Sequence, residues 1–221
     1  MNGIRGYNYL SRIPEIILAS TSPQRRHILE ELEIPYQIVS REVDEITGET
    51  PKSTVLYNAR LKAEAVAREV EPEKIILAAD TVLARGEEIL GKPADTEQAR
   101  AFLASFSGNT IHAYTGLTIV HRVSNSSLEI VETAEIIFRS FSQKMIDWYV
   151  GTGEPLTRAG AFGISKRGEI LVKVIHGSYS CIAGLPKFST MVLLNSIFKK
   201  AGISQSNFFP PLNSGQYEDI E

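Results

Sequence analysis

The alternation of strand-like and helix-like segments most constrains the fold of this chain. Residues 15–20 (EIILAS) form a short apolar run typical of a buried strand. In residues 25–34 (RRHILEELEI) the apolar side chains recur at helical spacing. Ser22 is a good N-cap for this helix, and Pro23 stands at its first helical position. Similar segments alternate along the rest of the chain, which predicts an α/β fold.

The remaining predicted elements combine helices with antiparallel hairpins. Apolar periodicity predicts helices at 51–70, 95–106, 142–151 and 187–200. Strand-like runs occur at 36–40, 74–80, 110–122, 128–139 and 169–175. Residues 81–91 are typical of a hairpin with Arg85 and Gly86 at its turn. Because hairpins make neighbouring strands antiparallel, we expect a mixed sheet and not a purely parallel one.

Length, composition and charge exclude several classes of protein. The 221 residues are 43% hydrophobic and 22% charged, which is ordinary globular usage and excludes a disordered chain. No apolar stretch reaches the roughly 18 residues that a membrane helix needs. The net charge of −3 lacks the basic excess usual in proteins that grip nucleic acid. We therefore expect neither a membrane nor a nucleic acid as partner.

The chain is expected to contain one domain with an extension at each end. Residues 15–202 hold no linker rich enough in Pro, Gly or Ser to divide them, whereas 1–14 and 203–221 have the character of tails. The single cysteine, Cys181, fits a reducing compartment, and the first fifteen residues lack the apolar segment of a secretory signal. A cytoplasmic location is the expectation.

Residues 20–26 (STSPQRR) form the most informative segment for function. They place Arg25 and Arg26 in the first turn of a helix, where the positive end of the helix dipole makes a cation mildly unfavourable. The arrangement becomes favourable when an anion binds, because backbone N–H groups, serine hydroxyls and guanidinium groups together form a phosphate site. The alternative, a capped helix with two solvated arginines, stays open at this point.

Asp80 is the second candidate, an acid directly after the apolar run IILAA. Aspartate is depleted in strands, and the strand-like residues after it weaken its interpretation as a helix cap. The hairpin at 81–91 can fold Lys92 back beside Asp80. An ordinary structural pair of aspartate and lysine explains the two residues equally well.

Two weaker candidates complete the groups that phosphoryl hydrolysis needs. Glu45 follows the second predicted strand, and Lys62 lies on an alanine-rich helix; a solvated face explains each in isolation. Together with Asp80 and the arginines they would supply oxygen ligands for Mg²⁺ or Mn²⁺ and cations for phosphates. The P-loop, the dinucleotide-binding glycine motif and the HExxH zinc motif are absent from the sequence.

Taken in order, the segments resemble the Maf family of nucleoside triphosphate pyrophosphatases. The matching pieces are ILASTSPQRRHILEEL, VDE at 43–45, ARLKA at 59–63, AADTVL at 78–83, ILGKP at 89–93, SGNTIHAYTG at 107–116, AGAFGI at 159–164, IHGSY at 175–179 and AGLP at 183–186. The resemblance implies an elongated α/β fold in which a bent mixed sheet, flanked by helices, forms two lobes with a central cleft, as in the inosine triphosphatases. It also implies cytoplasmic hydrolysis of a nucleoside triphosphate to monophosphate and pyrophosphate, dependence on Mg²⁺ or Mn²⁺, and a homodimer.

The resemblance assigns roles to individual residues. Binding of the phosphate chain falls on Ser20, Arg25, Arg26, Lys62 and Lys92, the last of which is also counted as catalytic. Glu45 matches an acid linked to metal and catalysis, and Asp80 matches the proton acceptor and a metal ligand. Thr81 matches a position that selects the base, and Gln24 and Ser165 stand at two further variable positions.

Those three positions separate the family's two better-known branches. The branch acting on dTTP and UTP typically has Arg where this chain has Gln24, Thr at position 81, and Gln where this chain has Ser165. The branch acting on 7-methyl-GTP has an aromatic residue at the first of them and Gln at the second. Thr81 and the piece AGAFGI favour the first branch, so dTTP, UTP or modified nucleotides are the expected substrates.

The resemblance and the residues together predict metal-assisted attack of water on the α-phosphorus. Asp80, with Glu45, would bind the cation and orient or deprotonate the water, while Arg25, Lys62 and Lys92 would neutralise the departing pyrophosphate. The competing hypothesis is a nucleotide-binding regulator of septum formation that does not hydrolyse its ligand. The acids argue against it, since a sensor needs the cations but not Asp80.

Overall fold

The computed structural model describes residues 13–203 and builds them around one seven-stranded sheet. The strands are β1 (Ile16–Leu18), β2 (Tyr36–Ile38), β3 (Ile75–Arg85), β4 (Glu88–Leu90), β5 (Thr110–His121), β6 (Ser126–Phe138) and β7 (Val172–His176). The helices are α1 (Pro23–Glu31), α2 (Pro51–Ala67), α3 (Thr96–Phe106), α4 (Gln143–Gly151), α5 (Tyr179–Ile182) and α6 (Lys187–Lys200). The predicted extension at 1–14 and tail at 203–221 lie almost entirely outside the described residues, and the division of the chain stays a prediction.

The sheet is mixed, as the hairpin pattern predicted. Its strand order is β2-β1-β3-β5-β6-β7, with β4 paired to the end of β3. β1 runs parallel to β2 and β3, and every other pairing is antiparallel. The α/β class of the fold is therefore confirmed. In the described part of the chain, no helix is both long and apolar enough to cross a membrane.

The structure corrects the prediction for the strand that carries Asp80. A strand at 74–80 followed by a separate hairpin limb was expected, but β3 runs without interruption and Asp80 lies near its middle, opposite Gly116 of β5. The strand tolerates a buried aspartate at this point because the Lys62 ammonium neutralises the carboxylate.

Smaller differences occur at the ends of elements. The helix predicted to reach residue 70 ends at Ala67, and the strand predicted at 169–175 is a 3₁₀ turn, Gly168–Leu171, followed by β7. Helix α5 was not predicted, because one helical turn is too short to display apolar periodicity.

Two hydrophobic cores fill the two ends of the sheet. The first core packs α1 and α6 against β1 and the beginning of β3, around residues such as Leu29, Leu77 and Leu194. The second core packs α3 and α4 against the end of β3 and neighbouring strands, around residues such as Leu103 and Phe138. Between the cores, β3 and β5 carry the polar residues Asp80, Thr81 and Thr115. The fold thus forms two lobes, and the polar middle of its longest strands lies between them.

Helix α2 crosses the opposite face of the sheet and brings Lys62 over Asp80. Its alanine-rich face packs on Ile17, Ile76 and Ala78. The approach is close because Gly116 has no side chain: a Cβ there would lie 2.6 Å from the carbonyl carbon and oxygen of Val55. Gly116 therefore sets the distance between α2 and the strand pair that carries the candidate site.

Candidate functional site

The cleft between the two lobes contains a cavity of about 600 Å³, here called the central cavity. Arg25, Asp80 and Thr81 line it from the first lobe, whereas Lys92 and Phe162 line it from the second. A cavity of this size is in the range that binds a small organic ligand or nucleotide. The sequence-predicted residues Gln24, Glu45 and Ser165 also line it.

Lys62 joins the two candidate carboxylates at the centre of the site. Its Nζ lies 2.6 Å from Asp80 Oδ1 and 2.6 Å from Glu45 Oε1. Asp80 is buried, whereas the Glu45 side chain is half-exposed. A lysine ammonium has three donors, so two are engaged here and one is left for an incoming phosphate oxygen.

The structure excludes one of the two interpretations of Lys92 that the sequence left open. The excluded one is an ordinary ion pair with Asp80, because Asp80 pairs with Lys62, and Lys92 has no ion pair among the described residues. Lys92 instead lines the central cavity, and also a second cavity of about 820 Å³ to which Lys62 and Glu45 contribute. We call this second space the charged cavity. The two cavities together are lined by five cations, Arg25, Arg41, Lys62, Lys92 and Arg158, and by four carboxylates, Glu42, Asp44, Glu45 and Asp80. The cations are in slight excess, which suits a polyanion.

Arg25 is held by hydrogen bonds at all three of its nitrogens. Its Nε donates to the Gly184 carbonyl oxygen at 2.9 Å, its Nη1 to Ser20 Oγ at 3.1 Å, and its Nη2 to Thr81 Oγ1 at 3.4 Å. Burial lowers the pKa of the guanidinium, while the charges of Asp80 and Glu45 oppose that shift. The interpretation of Arg25 as a freely solvated arginine is therefore wrong.

The start of α1 differs in two details from the sequence-based picture. Ser22 occupies the N-cap position, but its side chain makes no capping bond and instead donates to Gln24 Oε1 at 3.2 Å. Arg26 lines neither the central cavity nor the charged cavity, and its charge acts on Tyr36 of β2. The structure therefore brings Arg25 to the cleft but not Arg26, whose part in phosphate binding stays a prediction.

Thr81 belongs to a chain of hydrogen bonds that runs from Arg25 into the protein interior. The fully buried Thr115 hydroxyl donates to the Cys181 carbonyl oxygen at 2.8 Å, and Thr81 Oγ1 lies 2.9 Å from Thr115 Oγ1. Because Thr115 has only one hydroxyl hydrogen, Thr81 donates to Thr115 and accepts from Arg25. Thr81 thus positions Arg25. Because the Thr81 hydroxyl hydrogen is donated to Thr115, it is not available to the nucleobase of a substrate.

Thr115→Val should weaken this chain without changing the volume of the core. The change removes one of two hydrogen bonds to the Cys181 carbonyl oxygen, which still accepts from the Gly184 N–H at 3.0 Å, so the cost is about 0.5–1.5 kcal/mol of stability. It also frees Thr81 to rotate away from Arg25. We expect a higher KM for a triphosphate substrate, with kcat less affected. Steady-state kinetics on Thr115→Val and on the hydroxyl-retaining Thr115→Ser test this; equal kinetics for both variants would contradict it.

Cys181 takes no part in chemistry at the site. It is fully buried, and burial raises the pKa of its thiol to about 12. A thiol that stays protonated is a poor nucleophile and a poor metal ligand.

Sequence reasoning missed several residues of the second lobe. The central cavity is also lined by Arg158, Phe162 and Ile182. The loop that contains Arg158 and Phe162 is tied to the residue before Lys92, because the Gly160 N–H donates to the Gly91 carbonyl oxygen at 2.8 Å. Phe162 lies inside the quoted piece AGAFGI and Arg158 directly before it, so the motif was the available signal. Nothing in local periodicity distinguished these side chains.

The donor set is compatible with a divalent cation that arrives with a phosphate chain. No group of three or more His, Cys, Asp or Glu side chains that could hold a metal occurs within residues 13–203. Asp80 and Glu45 each use one carboxylate oxygen on Lys62 and have a second oxygen. Mg²⁺ is commonly bound by one or two carboxylates together with substrate phosphates and water, so two acids suffice.

Comparison with known proteins identifies the family. The model of the Maf-like protein family matches residues 15–197. The chain belongs to the Maf family. Among its curated relatives, a dTTP/UTP pyrophosphatase from Anaeromyxobacter dehalogenans is 40% identical over 82% of this chain and 93% of that protein. One from Sphingopyxis alaskensis is 39% identical over 84% of this chain and 97% of that protein.

A further relative and a solved structure extend the comparison of this Maf protein. The dTTP/UTP pyrophosphatase of Bacillus cytotoxicus is 38% identical over 78% of this chain and 90% of its own length. The Ham1 protein of Staphylococcus aureus aligns with 84% of this chain and 98% of its own, at 15% identity and a TM-score of 0.49. That likeness is too distant to bear on the chemistry of the cleft.

Proposed function

We propose that this Maf protein hydrolyses nucleoside triphosphates to the monophosphate and pyrophosphate. The observation that carries the proposal is the convergence of Arg25, Lys62 and Lys92 with the carboxylates of Asp80 and Glu45 at one cleft between the lobes. The cations suit the phosphate chain, and the carboxylates supply what hydrolysis needs beyond binding. The relatives named dTTP/UTP pyrophosphatase, which this chain matches over 93% and 97% of their own length, support the same reaction.

In this mechanism Asp80 orients and deprotonates the attacking water. Its buried carboxylate is fixed by Lys62 at 2.6 Å, so one oxygen is held while the other can accept a proton. Arg25 and Lys92, together with the third donor of Lys62, offset the negative charge that develops on the departing pyrophosphate. A divalent cation held by Asp80, Glu45 and the phosphates would polarise the reacting phosphoryl group when bound.

The products distinguish this reaction from other phosphohydrolase activities. Incubation with UTP, dTTP, CTP, GTP and 7-methyl-GTP, each with Mg²⁺ or Mn²⁺, should release monophosphate and pyrophosphate in equal amounts. Diphosphate with inorganic phosphate would refute the proposal. A protein that binds these nucleotides without turnover would instead support the regulatory hypothesis, which no observation in the structure favours.

Pyrimidine triphosphates are the substrates we propose, with a preference broader than that of the relatives. Gln24 and Ser165 face the cavity where the dTTP/UTP branch typically has larger donors, and Ser165 is much shorter than glutamine. A site built to hydrogen-bond its substrate rejects other bases strongly, whereas a site without those donors does not.

The double variant Gln24→Arg with Ser165→Gln tests this reading of the two positions. We expect it to sharpen the preference for UTP and dTTP over GTP by about tenfold or more, in the range that added contacts in a binding pocket supply. Relative kcat/KM values on the five triphosphates measure the change. If wild type already prefers UTP and dTTP strongly and the double variant matches it, these positions do not set the choice.

A further inference from the structure

Glu132 of β6 carries a carboxylate that takes no part in the proposed mechanism. Its two oxygens accept hydrogen bonds from the hydroxyls of Ser178 and Ser189, one on each oxygen. It lines neither the central cavity nor the charged cavity, so it does not contact a substrate bound there. Its effect on the site therefore depends on what the two serines hold in place.

Ser178 connects Glu132 to helix α5. Its side chain is the N-cap of that helix: the oxygen accepts from the Cys181 N–H at 3.0 Å, while the hydrogen goes to Glu132. Ser189 lies in the first turn of α6, so the same carboxylate also lies near the positive end of that helix, which stabilises a negative charge. Glu132 thus fixes the beginning of α5 on the sheet.

The Cys181 carbonyl is the second attachment of α5 to the sheet. Thr115 donates to it at 2.8 Å, and Thr115 is the residue of β5 directly opposite Glu132. Side chains of directly opposed residues in an antiparallel pair lie on the same face of the sheet. Glu132 and Thr115 therefore hold this single helical turn at two points from neighbouring strands.

Gly184, which follows the turn, transmits its position to Arg25. The Gly184 N–H donates to the Cys181 carbonyl oxygen at 3.0 Å, and the Gly184 carbonyl oxygen accepts from Arg25 Nε at 2.9 Å. The approach is close, since a Cβ at Gly184 would lie 3.1 Å from Thr81 Oγ1 and 3.5 Å from Arg25 Nε. A shift of α5 would therefore move the acceptor that orients the guanidinium.

We propose that Glu132 is a positioning residue for substrate binding, which acts on Arg25 through Ser178, α5 and the Gly184 carbonyl. The inference rests on the proposed function, because that function assigns Arg25 to the triphosphate. Without the Glu132 carboxylate, Arg25 would keep its place on α1 but lose its fixed direction. Triphosphate binding should then weaken more than the turnover of bound substrate.

A double-mutant cycle between Glu132 and Arg25 tests the connection. The probe is α,β-methylene-UTP with Mg²⁺, in which a methylene group replaces the bridging oxygen, so calorimetry measures Kd without cleavage. Glu132→Ala should raise Kd about 2- to 30-fold, the range for substitutions that act through a connecting network. In an Arg25→Ala background it should raise Kd less than about twofold, because the effects of connected residues do not add. Full additivity of the two losses would overturn the inference.

Two further variants separate positioning from a general loss of structure. Glu132→Gln keeps an oxygen acceptor for one serine and an amide donor for the other, and should restore most of the affinity. Glu135→Ala is the matched control, because Glu135 lies on the opposite face of the same strand and lines neither cavity. It should leave Kd unchanged. If Glu132→Gln binds the analogue as weakly as Glu132→Ala does, the hydrogen-bonded connection is wrong.

Steady-state kinetics on UTP give the corresponding split. Glu132→Ala should raise KM more than it lowers kcat, since the residue acts on binding and not on the reacting atoms. A fall in kcat with KM unchanged would contradict the assignment.

The orientation of Arg25 can also be followed without any nucleotide. The ¹⁵N–¹H signal of Arg25 Nε, assigned by its absence in Arg25→Ala, should exchange with water faster in Glu132→Ala. Ser178→Ala removes only one hydroxyl of the connection and makes the same test if Glu132→Ala does not fold. Unchanged exchange in a folded variant would refute the inference. If the signal responds as expected but wild type neither binds the analogue nor hydrolyses UTP, the proposed function fails instead.

Discussion

Asp80→Asn should retain the fold and lose turnover by about 10²–10⁴-fold, the range that a positioned acid–base group supplies. The substitution keeps the shape of the side chain, and its amide oxygen can still accept from Lys62. Lys62 also keeps Glu45 as an ionised partner at 2.6 Å, so the ammonium is not left buried and unpaired. What disappears is the ability of residue 80 to take a proton and to hold a cation by charge.

The measurement is kcat on the best triphosphate, with thermal unfolding measured in parallel. Asp147→Asn is a matched control, because Asp147 pairs with Arg100 on the surface and lines neither the central nor the charged cavity. It should leave kcat unchanged. An Asp80→Asn protein that keeps more than about a tenth of wild-type turnover would exclude Asp80 as the base.

Gly116→Ala should destabilise the protein and disorganise the site together. A methyl group there would lie 2.6 Å from the carbonyl carbon and oxygen of Val55, a separation that forces α2 away from β5. Overpacking of this kind costs about 1–3 kcal/mol. For a protein of this size that corresponds to a fall in Tm of roughly 2–12 °C. Since α2 carries Lys62, we expect kcat to fall as well.

Gly151→Ala is the appropriate control for the glycine. Gly151 is the last residue of α4, and a Cβ built there meets nothing within 4 Å. The substitution should leave Tm unchanged or raise it slightly, because alanine has the higher helix propensity. Equal Tm values for Gly116→Ala and wild type would show that α2 does not depend on this close approach.

The sequence predicted those parts of the molecule that depend on local pattern. Helices α3, α4 and α6 lie within a residue of their predicted bounds, since their apolar periodicity agrees with the packing in the two cores. The uninterrupted course of β3 was not predicted, because it depends on pairing with residues of β5 that lie about 28 to 46 positions later in the chain. Pairing over such separations leaves no trace in a short sequence window.

The candidate site was likewise predicted where it depends on local sequence and missed where it depends on contacts between distant parts of the chain. Asp80 and Arg25 stood out as charges in unfavourable local settings, whereas Lys62 was a weak candidate on its own. The structure brings all three to the cleft. That Lys62 is the partner of Asp80 was not predicted, and only a pair with Lys92 was considered, because the choice between the two lysines depends on how α2 crosses the sheet. The positioning role of Thr81 was invisible in the sequence, since it requires the hydroxyl of Thr115 and the carbonyl of Cys181.

Hydrolysis in ¹⁸O-labelled water tests the central claim, attack of water on the α-phosphorus at the Asp80 cleft, most directly. UTP or dTTP is turned over with Mg²⁺ in H₂¹⁸O, and mass spectrometry locates the label in the products. The account predicts one ¹⁸O atom in the monophosphate and none in the pyrophosphate, with the label incorporated about 10²–10⁴-fold more slowly by Asp80→Asn. Label in pyrophosphate, or in inorganic phosphate released with a diphosphate, would contradict it.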